Sequence, residues 1–142
     1  MSLAAEAPAT MVVVQIGGEA DLLRVRSTLR AEAHHAGLGL TATTKLVTAG
    51  SELARNISRY AMHGQGTVRI ERTAADGRQG VRAEFSDAGP GIADLDDAMR
   101  DGFSTVGSLG LGLPGSRRLV DDFSIDTGPG RGTTVVITQW NR

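Results

Sequence analysis

The chain has 142 residues, 40% of them hydrophobic and 22% charged, which is the composition of one soluble globular domain rather than a disordered segment. Its net charge of −1 argues against nucleic acid as a partner, because that binding depends on neutralising many phosphates. The absence of cysteine excludes disulfides and thiolate metal sites, and no apolar run approaches the roughly 20 residues that span a bilayer.

Residues 1–9, "MSLAAEAPA", lack a basic segment and carry Glu6, so they read as a disordered lead rather than a secretion signal, and a cytoplasmic protein is expected. "TMVVVQI" (10–16) is a β-branched strand ended by Gly17-Gly18. A helix is expected from Glu19 to about Ala36, with Leu22, Leu23, Val25 and Leu29 on its apolar face and Gly37 closing it. Thr41 can cap a second helix running to about Met62, with Leu46, Leu53, Ile57 and Tyr60 inward. "TVRIERT" (67–73) and "VRAEFSD" (81–87) alternate at period two and form a hairpin across "AADGRQG". The polar, acidic stretch 92–106 has room for a short helix at "DLDDAMRDGF". A third helix is expected over 110–122, entered through glycines and carrying Pro114 in its first turn. A short strand "FSID", a tight turn "TGPGRG" and a strong strand "TTVVITQW" (133–140) complete the chain.

The order β-α-α-β-β-loop-α-β-β predicts an α+β two-layer sandwich: a mixed, mostly antiparallel sheet with helices on one face. No repeat or linker divides it, so residues 10–142 read as a single domain. The alternating βαβ units of a doubly wound nucleotide fold are missing. Fourteen of the fifteen basic residues are arginine, and no glycine precedes Lys45 at P-loop spacing.

Three stretches carry candidate chemistry. In "SELARNI", Glu52 and Asn56 share a helix face; at about 100° per residue, Asn56 falls about 40° from Glu52 and the apolar Leu53, Leu46 and Ile57 about 100–140° away. Both polar side chains therefore sit on the shoulder of the buried stripe, although an isolated pair of this kind equally describes an ordinary exposed helix. Arg55, about 300° round from Glu52, is expected to face elsewhere. Asp87 opens "DAGPGI" at the end of a strand, where it could accept a hydrogen bond from an amino group or simply begin a β-turn. "GSLGLGLPG" (107–115) enters a helix, so its amides can face an anion or form only a flexible loop.

In order, E-x-x-x-N on a helix, D-x-G-x-G after a strand, and G-x-x-G-x-G-L into a helix resemble the ATP-binding domain of the gyrase, Hsp90, histidine-kinase and MutL superfamily (the Bergerat fold). "GRGTT" (130–134) is similar to its last motif, and the resemblance covers residues 41–140. Within that superfamily, "SELARNI", "DAGPGI", "DGFSTVGSLGLGLPGSRRLVDDF" and "GRGTT" look most like the small anti-sigma-factor serine kinases. The resemblance implies ATP and Mg²⁺ as cofactors. Asn56 would present its oxygen to Mg²⁺ and Glu52 would act as general base. Asp87 would accept from the adenine amino group, with Gly89, Gly91 and Ile92 around the base and Thr133 completing the water network. Gly107, Leu109, Gly110, Leu111, Gly112 and Leu113 would wrap the phosphates, and residues 92–106 would form a lid.

It further implies a bacterial partner-switching kinase that phosphorylates a Ser or Thr of a STAS-domain protein and, when released, activates a PP2C-type phosphatase. The alternative is an anti-sigma factor that acts mainly by sequestering a sigma factor under nucleotide control. A histidine-kinase catalytic domain is a weaker reading, since His34, His35 and His63 fall at helix ends, where solvated histidines are common.

Overall fold

The computed structural model describes residues 11–89, 91, 99 and 112–141. The elements are β1 (Met11–Ile16), α1 (Asp21–His35), α2 (Leu40–Tyr60), a 3₁₀ turn (Met62–Gly64), β2 (Gly66–Ala75), β3 (Arg78–Asp87), α3 (Leu113–Leu119), β4 (Asp122–Thr127) and β5 (Thr133–Trp140). The lead 1–9, the lid 92–106 apart from Met99, and the motif residues Ile92, Gly107, Leu109, Gly110 and Leu111 lie outside the described residues.

The strands form one sheet in the order β1-β2-β3-β5-β4, and every described pairing is antiparallel. Period-two alternation sorts the strands into two faces. Val14 and Ile16, Val68 and Ile70, Val81, Ala83 and Phe85, and Val135 and Ile137 are buried beneath the helices. The opposite face carries a ladder of charges in which Arg82 reaches both Glu71 (3.4 Å) and Glu84 (3.6 Å). The expected arrangement of helices on one face of an α+β sheet holds.

The β2–β3 strands run further than their alternation suggested, leaving a two-residue loop at Asp76-Gly77 with φ of 54° and 77°. Positive φ at both positions gives the turn whose twist matches the flanking strands, which explains the Asp-Gly pair. Helix α1 ends in a Schellman arrangement: the Leu38 N–H donates to Ala33 O (2.9 Å), the Gly37 N–H donates to His34 O (3.0 Å), and Gly37 has φ +78°.

Some boundaries and faces differ from expectation. Helix α2 starts at Leu40 with Gly39 as its N-cap, so Thr41 lies inside the helix and does not cap it. That helix ends at Tyr60, because Ala61 turns to an extended conformation (ψ 162°), and the positive φ of His63 and Gly64 keeps the following turn from resuming it. Leu23 is 67% exposed although Val25 and Leu29 are fully buried. Two adjacent leucines, one-third of a turn apart, cannot both reach the narrow stripe beneath α1, and Leu22 takes the inward place.

Helix α2 positions the rest. Leu46, Leu53 and Ile57 are at most 3% exposed, and their stripe lies on the sheet with no room to spare at two glycines. A Cβ on Gly50 would meet the Leu29 side chain, and one on Gly66 would lie 2.6 Å from both Ile57 Cγ2 and the Ser86 carbonyl oxygen. Strand propensity alone would favour Gly66→Val. The backbone clash leads to the opposite expectation: a loss of about 1–3 kcal/mol, read as a lower urea midpoint with unchanged slope.

Candidate active site

The close packing of Ile57 on Gly66, the cross-strand partner of Asp87, fixes the C-terminal half of α2 over the end of β3. On the shoulder of that half sit Glu52 and Asn56, both half-buried, as their angular separation from the apolar stripe requires. On the other side of Glu52 is the entry to α3. Gly112 has φ +66°, and a Cβ there would collide with Glu52 Cγ and lie 2.8 Å from Cδ and 2.9 Å from Oε2. The E-x-x-x-N helix and the glycine run thus touch, 60 residues apart in the chain, with Glu52 resting against the loop backbone. Leu113, the next residue, is buried in the core and anchors that entry.

Arg55 does not face elsewhere. Its Nη1 lies 3.3 Å from Glu52 Oε1. An angle of 300° is also 60° in the other direction, so a residue three positions on is a neighbour on the helix surface.

The second half of the site is at the sheet end. Asp87 pairs in register with Gly66 on one side and Thr133 on the other. Its Oδ1 accepts the Gly89 N–H at 2.7 Å, an Asx-type bond that folds the D-x-G turn back on its own carboxylate. Burial pushes the Asp87 carboxyl above the ordinary value of 3.8, and the Gly89 N–H offsets part of that rise.

Beside it, Thr127 Oγ1 donates to the Gly132 carbonyl (3.0 Å) and lies 2.8 Å from Thr133 Oγ1. A hydroxyl has one hydrogen, so Thr133 donates to Thr127 and keeps a lone pair for a water or an amino group. The turns carrying "DAGPG" and "TGPGRG" pack backbone to backbone. A Cβ on Gly91 (φ +79°) would meet the Gly128 carbonyl, and one on Gly132 would meet the Asp87 carbonyl. Sequence reasoning singled out Gly91 and Thr133 but missed Thr127, Gly128 and Gly132 as their supports. Their signal was present in the spacing of "TGPGRG", which reads equally well as an ordinary turn.

A hollow of about 650 Å³ opens on the β1–β2 side of Asp87, lined by Gln15, Gly17, Gly66, Thr67 and Ser86 among others. It does not include Glu52, Asn56, Gly112 or Thr133. Among the described residues no group of three or more His, Asp or Glu side chains could hold a metal. Asn56, half-buried on the shoulder of α2, carries a hard carboxamide oxygen, and a divalent ion held by it would need phosphate oxygens for its remaining ligands.

Residues 18–139 match the family model described as "Histidine kinase-like ATPase domain". The chain belongs to that family. Within it, the chain is similar to Serine/threonine-protein kinase RsbT of Bacillus subtilis (strain 168), with 43% identity over 91% of this chain and 96% of the relative. It is also similar to Anti-sigma F factor of Bacillus licheniformis, 37% identical over 68% of each chain, and to Anti-sigma F factor of Bacillus subtilis (strain 168), 35% identical over the same shares. No helix of the described residues is long and apolar enough to cross a membrane.

This histidine kinase-like ATPase domain holds Asp87 in a costly state. Folding raises the affinity of that carboxyl for its proton, so the associated stability is present at low pH and lost as pH rises through its folded-state value. Asp87→Asn keeps an oxygen for the Gly89 N–H and carries no charge. The variant is expected to melt above the parent at pH 7 without nucleotide, with the gap closing below pH ~4, while calorimetry registers lost ATP affinity.

Proposed function

We propose that this domain transfers the γ-phosphoryl group of ATP to a serine or threonine hydroxyl of a STAS-domain protein in a bacterial partner-switching pathway. The observation that carries the reading is Glu52 seated on the backbone of Gly112, which brings a carboxylate to the glycine run. Similarity to RsbT over 96% of that kinase supports the same reading.

Each residue then has a physical task. Asp87 accepts a hydrogen bond from the adenine amino group, and Thr133, oriented by Thr127, completes the contact. Gly91 lets the turn lie flat enough for a base to approach. The amides at Gly112, with those of Gly107 and Gly110, bind phosphate oxygens. Asn56 would hold Mg²⁺ through its side-chain oxygen; that ion, when bound, neutralises phosphate charge in a site with no P-loop lysine. Glu52 orients the acceptor hydroxyl and takes its proton. Phosphoryl transfer demands mainly positioning and electrostatics, so one well-placed carboxylate meets the protein's share of the chemistry. Release after phosphorylation would free the domain to bind a PP2C-type phosphatase.

A second reading, nucleotide-controlled sequestration of a sigma factor, is favoured by the similarity to Anti-sigma F factors. Glu52 separates the two, because sequestration needs no base. Glu52→Gln is expected to slow transfer from labelled ATP to a protein in extract of the source cells by ~10²–10⁴-fold, with ATP affinity nearly unchanged by calorimetry. Transfer at the parent rate would overturn the assignment. Asn56→Ala is expected to weaken ATP binding in Mg²⁺ and to leave binding in chelator as it was.

A further inference from the structure

Glu52 presents its two oxygens to different neighbours. Oε1 lies 3.3 Å from Arg55 Nη1, while Oε2 is on the side of the carboxyl that packs toward Gly112, 2.9 Å from where a Cβ there would stand. Arg55 is about one-third exposed, as is Glu52, so their attraction contributes little to stability. Its consequence is directional. A carboxylate carboxyl group rotates about its last bond between roughly two-fold equivalent settings, and a donor on one oxygen selects which oxygen the other side meets.

The charge balance also calls for a cation here. A triphosphate approaching Gly112 brings several negative charges toward a carboxylate, and like charges at such distances disfavour each other. Lys45, the single lysine, is exposed two helical turns before Glu52. Arg55 is the cation that the described structure places in contact with the carboxylate.

We propose that Arg55 is a positioning residue for phosphoryl transfer: it holds Glu52 Oε1, leaving Oε2 to receive the acceptor's proton, and offsets the repulsion between that carboxylate and the phosphates. The inference rests on Glu52 being the base. In the step itself, the acceptor O–H proton passes to Oε2, the acceptor oxygen bonds to the γ-phosphorus, and the bond to the β-bridging oxygen breaks, ADP leaving with the electron pair. Arg55 touches neither hydroxyl nor phosphorus in this scheme.

The test compares the parent, R55M, R55K, E52Q and the E52Q/R55M double variant. Each is given γ-labelled Mg·ATP and desalted extract of the source cells, and the signal is the labelled protein band that needs the added kinase. R55M is expected to lower the maximal rate by about 10–10²-fold and to raise the KM for ATP as the unshielded carboxylate repels the phosphates, with the melting temperature little changed. R55K, which keeps the charge but not the planar fork, is expected to restore part of the rate. In the E52Q background, R55M is expected to change nothing further, since its effect runs through the carboxylate. Parent-like rates for R55M with E52Q inactive would overturn the role of Arg55 and spare the base. An equal loss from R55M in both backgrounds would show that Arg55 acts independently of Glu52, which also overturns it. An E52Q protein as fast as the parent, or no labelled band with the parent, would overturn the reading beneath both.

Discussion

The burial of one stripe of α2 against the sheet constrains everything else in this domain. Leu46, Leu53 and Ile57 have nearly no exposure, and Gly66, caught between Ile57 and the Ser86 carbonyl, has no room for a side chain. A helix held this firmly cannot rotate about its axis. The half-buried shoulder bearing Glu52 and Asn56 is therefore fixed in direction, toward the entry of α3 on one side and the Asp87 end of β3 on the other. Polar groups whose own contacts are weak gain their precision from apolar contacts on the reverse side of the same helix.

The same economy appears at the sheet end. Asp87 and Thr133 are cross-strand neighbours because β5 returns between β3 and β4, so two residues distant in sequence share one rung. Two glycine turns then pack backbone to backbone around that rung, at distances that exclude any Cβ on Gly91 or Gly132. The carboxylate is desolvated by this packing and partly compensated by a single local N–H. A half-buried, incompletely compensated acceptor of this kind can take a hydrogen bond from a ligand, and the fold bears the cost of holding it.

In the reading proposed above, Glu52 and Arg55 show how little energy an orienting contact needs. Their ion pair is exposed enough to be worth a few tenths of a kcal/mol up to about 1 kcal/mol, far below the contribution of the stripe beneath it. What it supplies is orientation. The helix provides the approximate place, Gly112 provides a wall, and the guanidinium selects the rotation of the carboxyl group against that wall.

Much of this was legible in the residues alone. Period-two alternation identified β2 and β3, the 3.6-residue period placed Glu52 and Asn56 on the edge of the buried face, and the order of the three motifs pointed to the histidine kinase-like ATPase family. These features are local, or are fixed spacings along one chain, and local sterics and side-chain periodicity determine them. Other features depended on the folded chain. The inward choice of Leu22 over Leu23, the start of α2 at Leu40 rather than after a Thr41 cap, and the supporting roles of Thr127, Gly128 and Gly132 all depend on what packs opposite. So does the contact of Glu52 with Gly112, 60 positions away. Only the tertiary structure decides these, because a contact between distant segments is set by how two surfaces fit, and a linear spacing carries no record of that fit.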